Sequence, residues 1–172
     1  KLRQFLKKRK SKNENKPRIP SHINGNKFKI RDHQLESLRE WQANNFNGIL
    51  ELATGAGKTI TAIYAATKFL SKNEGFVLIV SVPYQDLADQ WVRELALFNI
   101  HALKCYGSQT DWSPKTSDYL RRNRHEQKEQ LAIVVVHPTL KKDTFQDFVS
   151  QLDKDKLLFI YDECHHHGSE SF

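Results

Sequence analysis

The chain has 172 residues, of which 38% are hydrophobic and 10% aromatic, the length of one domain with enough apolar side chains to bury a core. That composition excludes an extended disordered chain, a collagen-like chain and a disulfide-stapled miniprotein. The longest apolar runs, 76–80 and 132–136, are far too short to span a bilayer, so no membrane role is expected.

There are 27 Lys and Arg against 20 Asp and Glu, a net charge of +7. The charge is uneven. Residues 1–31 hold 12 basic groups and one acid, Glu14, for a net +11, and the other 141 residues hold 15 basic and 19 acidic groups, for −4. A basic arm on a mildly acidic body can contact a polyanion or simply keep a linker in water, and charge alone leaves both open. The chain begins at Lys1, has no apolar signal core and contains no Met, so it is expected to be a piece of something longer. Two cysteines, Cys105 and Cys164, in ordinary contexts point to a reducing, intracellular compartment: the cytoplasm of a bacterial-type cell, or the nucleus of a eukaryotic one.

In chain order, Leu2, Phe5 and Leu6 form a short helical stripe, followed by a charged linker punctuated by Pro17 and Pro20. Residues 1–27 therefore read as a basic helix and linker, and 28–172 as the globular domain. Asp32 is expected to cap a helix whose Leu35, Leu38 and Trp41 fall at helical spacing. A short buried strand is expected at 48–52, a loop of small residues at 53–57, and a helix at 58–70 with Ile60, Ile63, Tyr64, Thr67 and Leu70 on one face. A buried strand at 76–82 follows, then a helix at 84–98 presenting Leu87, Trp91, Leu95 and Phe98. After a strand at 102–106, residues 107–130 are polar and read as a long loop or a poorly anchored helix, with Arg121, Arg122 and Arg124 in solvent. Strands at 133–136 and 157–161 flank a short helix at 144–152 with Phe145, Phe148, Val149 and Leu152 inward. Strands apolar on both faces alternating with helices predict an α/β fold, a mostly parallel sheet with helices on both faces.

Two segments carry chemistry. Residues 53–59, Ala-Thr-Gly-Ala-Gly-Lys-Thr, join the expected strand to the expected helix. Backbone N–H groups of such a loop cradle phosphate oxygens, and the helix N-terminus adds partial positive charge. Lys58 can reach the β- and γ-phosphates and the Thr59 hydroxyl can ligate magnesium. The full pattern asks for Gly or Ala five places before Gly57, where this chain has Leu52. Residues 157–161, Leu-Leu-Phe-Ile-Tyr, run into Asp162 and Glu163, placing acids at a strand's carboxyl end. Asp162 would hold magnesium through water and Glu163 would polarise the attacking water as general base. Cys164 with His165, His166 and His167 invites a zinc reading, but adjacent ligands point apart and no second pair sits at finger-like spacing.

Residues 53–59 and the Asp-Glu-Cys-His at 162–165 resemble motifs I and II of superfamily 2 helicases of the DEAD/DEAH type. Residues 80–91 look like motif Ia, 28–34 like the upstream glutamine element, and 134–139 like a later strand-end motif. The closest likeness is to repair-type helicases and to motor subunits of restriction and phage-defence systems. The resemblance covers 28–172 and implies a RecA-like domain cut just after motif II. It implies an ATP site made by Arg31, Gln34, Thr54, Gly55, Ala56, Gly57, Lys58 and Thr59, with Gln34 reading adenine. Lys58, Asp162 and Glu163 become the catalytic groups, and Thr59 and Asp162 the Mg2+ ligands. Pro83, Tyr84, Gln85, His137 and Thr139 would face nucleic acid, DNA sooner than RNA. A second RecA-like domain of the same full-length chain would supply arginine fingers, and a nuclease or restriction partner is implied. Trp91 is expected in the core and not on a base. The competing readings are a nucleotide-binding scaffold without turnover and a P-loop ATPase or kinase unrelated to helicases.

Overall fold

The computed structural model describes residues 16–53 and 55–162. The stripe at Leu2, Phe5 and Leu6, Thr54, Glu163, and the Cys164 to His167 run lie outside the described residues.

Residues 16–30 depart from the linker reading. Two short strands, β1 (His22–Ile23) and β2 (Asn26–Lys27), pair antiparallel. Asn24 and Gly25 between them have φ of 50° and 78°, the pair of positive values a two-residue hairpin turn needs. The hairpin is held to the body: Phe28 packs edge-on against Phe98 with ring centroids 5.6 Å apart, the Arg18 amide donates to the Phe98 carbonyl at 2.9 Å, and Asn99 Nδ2 donates to the Lys16 carbonyl at 2.9 Å.

The body has a helix α1 (Asp32–Ala43) followed by α2 (Lys58–Lys72), β3 (Val77–Val82) and α3 (Gln85–Leu97). Arg31, not Asp32, occupies the N-cap of α1; Asp32 sits in the first turn, where its charge favours the helix dipole. Then come β4 (Leu103–Cys105), α4 (Gln109–Arg122), β5 (Leu131–Val136), a four-residue α5 (His137–Leu140), α6 (Asp143–Ser150) and β6 (Leu157–Tyr161). The sheet order is β4-β5-β3-β6 and every pairing in it is parallel. Successive residues of β3 face opposite layers. Leu78, Val80 and Val82 pack with Ile63, Leu70, Trp91 and Leu95 of α2 and α3, while Val77 and Ile79 pack with Trp112, Tyr119, Phe145 and Phe148 of α4 and α6. Helices therefore cover both faces, as the apolar strands require.

Three further expectations change. Within 107–130, residues 109–122 form a well-anchored helix: α4 is held through Trp112, Thr116 and Tyr119, three buried side chains at helical spacing, and Trp112 meets the Phe145 ring at 5.8 Å. Its arginines are paired, Arg121 with Asp118 and Arg122 with Asp118 and Glu129. The strand expected at 48–52 does not form; Ile49 is 74% exposed, and among the described residues no strand pairs with this segment. A strand exists by its ladder, and the two edges of β3 are already taken by β5 and β6. Finally, β6 is not a fully buried strand. It pairs with β3 alone among the described strands, and Phe159 is 40% exposed.

At the opposite edge, Asp89 of α3 accepts hydrogen bonds from Lys104 Nζ at 2.6 Å and Tyr106 Oη at 2.7 Å, tying that helix to β4. The Lys104 hydrogen bond, with the one from Tyr106, holds the Asp89 carboxyl below the usual carboxylate range.

Candidate functional site at the carboxyl end of the sheet

Topology puts the site's parts at one end of the sheet. Only residues 73–76 separate α2 from β3, and Gln130 Nε2 donates to the Asn73 carbonyl at 2.7 Å, so the C-terminus of α2 lies where β3 and β5 begin. A helix of 15 residues is ~22 Å long, about the length of a six-residue strand. The N-terminus of α2, with the loop at 53–57 before it, therefore lies toward the carboxyl ends of β3, β5 and β6. Those ends lead into α3, α5 and Asp162, and ligand crevices of open α/β sheets form there.

The loop is a tight turn with the Ala56 amide donating to the Ala53 carbonyl at 3.0 Å. Gly57 is the N-cap of α2 with φ 88° and ψ 38°, a left-handed conformation that suits glycine. A Cβ there would also sit 2.6 Å from Gln34 Nε2, so the end of that side chain would have to shift. Among the described residues no side chain caps the first turn of α2, and its N–H groups and dipole favour an anion. Lys58 Nζ donates to the Leu52 carbonyl at 2.9 Å, so the residue that departs from the usual loop pattern contributes through its backbone. Thr59 is half-buried one residue into the helix, and Thr61 Oγ1 turns back to the Gly57 carbonyl at 2.9 Å.

Gln34 is 4% exposed and faces this loop. Its Nε2 donates to the carbonyls of Gly57 at 3.2 Å and Ala56 at 3.4 Å, while its Oε1 accepts the Arg31 backbone N–H at 2.9 Å. The ring Nε2 of His33 lies 3.2 Å from the same Ala56 carbonyl. In this structure both ends of the Gln34 amide are bonded to the protein, and Arg31 is exposed at the cap of α1.

Asp162 follows β6 directly. Its amide donates to the Ser81 carbonyl at 2.9 Å, extending the parallel ladder by one bond and fixing the residue at the strand's end. Its Oδ2 accepts the indole N–H of Trp91 at 2.7 Å. Trp91 is in the core as expected, 1% exposed, but its bond to a residue 71 positions away has no signal in the sequence.

The residues expected to face nucleic acid fall into two groups. Tyr84 and Gln85 are exposed where β3 hands over to α3, with Pro83 half-buried before them. His137 and Thr139 begin α5 and are 7% and 4% exposed; the His137 ring stacks on Tyr161 with centroids 4.6 Å apart and planes 12° apart.

The donor set fits a nucleotide with a divalent cation. An uncapped helix N-terminus, a lysine ammonium and a hydroxyl meet phosphate chemistry, and a strand-end carboxylate suits a hard cation with oxygen ligands. With the RecA-like sheet, these features define a helicase-type ATP-binding domain. The chain belongs to the family described as "Type III restriction enzyme, res subunit", whose model matches residues 27–172. It is also similar to a Mycobacterium leprae (strain TN) protein named "Uncharacterized protein ML1624", with 28% identity over 141 residues, 81% of this chain and 21% of that protein. The chain thus spans about a fifth of that relative's length. No helix among the described residues is long and apolar enough to cross a membrane.

Proposed function

We propose that this domain is the ATP-binding lobe of a nucleic-acid-dependent ATPase, a helicase or translocase acting on DNA in restriction, phage defence or repair. The observation that carries the reading is the phosphate loop at the open N-terminus of α2, on the sheet end where Asp162 leaves β6. Family membership supports it at the level of helicase-type ATP binding.

In this reading the backbone of Gly55, Ala56 and Gly57, with Thr54 before them, wraps the β- and γ-phosphates. Lys58 exchanges the Leu52 carbonyl for phosphate oxygens and neutralises their charge. Gln34 and Arg31 border the adenine, with Gln34 turning part of its amide from the loop to the base. Thr59 and Asp162 would hold Mg2+, which would supply charge neutralisation to the phosphates. Glu163, next in the chain after Asp162, accepts the proton of the attacking water. Tyr84, Gln85 and Pro83 meet the nucleic-acid backbone with their side chains or amides, and the α5 residues His137 and Thr139 support the same face. A second RecA-like domain of the full-length chain closes the cleft with arginine. Such a group is worth ~10³–10⁵ in rate, so the 172 residues alone should hydrolyse ATP barely, if at all. A nuclease or restriction subunit is the expected partner, in the cytoplasm or nucleus.

ATPase assays of the full-length protein with and without single- and double-stranded DNA and RNA test the reading. Stimulation by DNA supports it. Turnover indifferent to nucleic acid would make the protein another kind of P-loop ATPase, and absence of turnover would make it a nucleotide-binding scaffold.

A further inference from the structure

Two large indoles are buried, one in each core layer, and their N–H groups have different fates. Trp112 of α4 is 1% exposed against α6, and its Nε1 has no hydrogen-bond partner among the described residues; it serves as packing. Trp91, equally buried in the other layer, spends its N–H on Asp162 Oδ2 at 2.7 Å. Indole is a donor only, and a donor aimed at a carboxylate makes a charge-assisted bond of about twice the strength of a neutral one. Phenylalanine would fill much of the same core volume without reaching the carboxylate.

A carboxylate at a strand end can otherwise turn about its two side-chain torsions. Here the backbone is pinned by the Asp162 N–H to Ser81 carbonyl bond, and one carboxylate oxygen is pinned by a side chain from α3 that is itself locked in the core. Groups that hydrogen-bond a metal-ligating carboxylate orient it and set its affinity for the cation.

We infer that Trp91 is a positioning residue, holding the Asp162 carboxylate in the orientation that receives the magnesium of the nucleotide complex. The inference rests on the proposed ATP site. It assigns Trp91 no contact with nucleotide, water or nucleic acid.

The test uses the full-length protein with Trp91→Phe, and with Leu95→Val as a control that perturbs the same helix and core layer away from Asp162. ATP binding is measured by calorimetry in EDTA and across a MgCl2 titration, alongside kcat and KM. Trp91→Phe should bind ATP in EDTA as the wild type does. The Mg2+ concentration for half-maximal effect should rise roughly tenfold, with kcat falling at saturating ATP and ordinary Mg2+. Leu95→Val should lower the melting temperature and leave the Mg2+ midpoint in place. A benzothienylalanine at position 91, which replaces the indole N–H by sulfur and keeps its shape, should reproduce the shift even if the phenylalanine variant folds poorly. An unchanged Mg2+ midpoint in the N–H-deficient variants, or an equal shift in Leu95→Val, overturns the inference. Absence of any Mg2+-dependent ATP binding in the wild type overturns the ATP site as well, a pattern distinct from wild-type response with unchanged variants.

Discussion

The side-chain amide of Gln34 is clamped between two backbones, donating to the Gly57 carbonyl at 3.2 Å and accepting from the Arg31 amide at 2.9 Å. This bond pair ties the start of α1 to the loop before α2 across 23 residues of sequence. Replacing Gln34 with Glu keeps the acceptor and removes the donor, turning a carboxylate toward the Ala56 and Gly57 carbonyls. The expected result is a loss of ~1–3 kcal/mol of stability in chemical denaturation at pH 7. Weaker ATP binding should accompany it. A variant as stable as the wild type would show that the clamp contributes nothing.

Gly57 tests the same contact from the other side. An alanine there meets Gln34 Nε2 at 2.6 Å and must hold φ near 88°. Gly57→Ala should cost ~1–3 kcal/mol through this backbone strain, and ATP affinity should fall in a direct binding assay. Ala56→Gly, at the preceding residue, should leave affinity within a few-fold of the wild type.

Lys58 makes one hydrogen bond to a loop carbonyl. Lys58→Ala should therefore lower stability by only about 1–2 kcal/mol. It should nonetheless abolish ATP turnover by the full-length protein, as should Glu163→Gln. Appreciable turnover by either variant in a phosphate-release assay would remove that residue from the catalytic machinery.

Two aromatic pairs join α4 to α6, Trp112 with Phe145 and Tyr119 with Phe148. Phe145 is fully buried and its ring lies 5.8 Å from Trp112. Phe145→Ala should cost ~3–5 kcal/mol in urea unfolding. Arg121→Ala, which removes a surface pair with Asp118, should change stability by less than ~1 kcal/mol.

Burial pushes the Cys105 thiol up to about 12. Its thiolate fraction at pH 8 is then roughly one in ten thousand, against a substantial share for an ordinary cysteine. Native protein treated with iodoacetamide at pH 8 should show no alkylated Cys105 peptide by mass spectrometry, while protein in urea should be fully labelled. Labelling of the native form at an ordinary cysteine rate would contradict the packing around β4.

The body's α/β alternation was legible because each strand is an uninterrupted apolar run and each helix shows its period. Trp91, Leu95 and Phe98 lie inward as their spacing predicts. Three misreadings have definite causes. Residues 107–130 look polar on average, which hides the Trp112, Thr116 and Tyr119 stripe within them. The Asn24-Gly25 dipeptide, a strong hairpin signal, is hidden among basic residues and prolines. The segment 48–52 has strand composition, but pairing depends on a neighbour that composition cannot supply. At the site, the loop's local order was readable from glycine and lysine spacing. The bonds from Gln34 to the loop and from Trp91 to Asp162 were not, because both join segments far apart in sequence. The burial of His137 against Tyr161 is equally a product of sheet order.

The parallel sheet also dictates when its centre can be completed. Strand β3 lies between β5 and β6, and Val77 pairs with Leu131 and Leu157, 54 and 80 residues further along. During synthesis at ~5–20 residues per second, the run Val-Leu-Ile-Val-Ser-Val leaves the ribosome several seconds before its first neighbour arrives. Until then its backbone amides have no ladder, and α2 and α3 can shield only one of its faces. The nascent chain is thus most prone to mispairing in the interval between α3 and β5, and that interval is where a chaperone would have the most to protect.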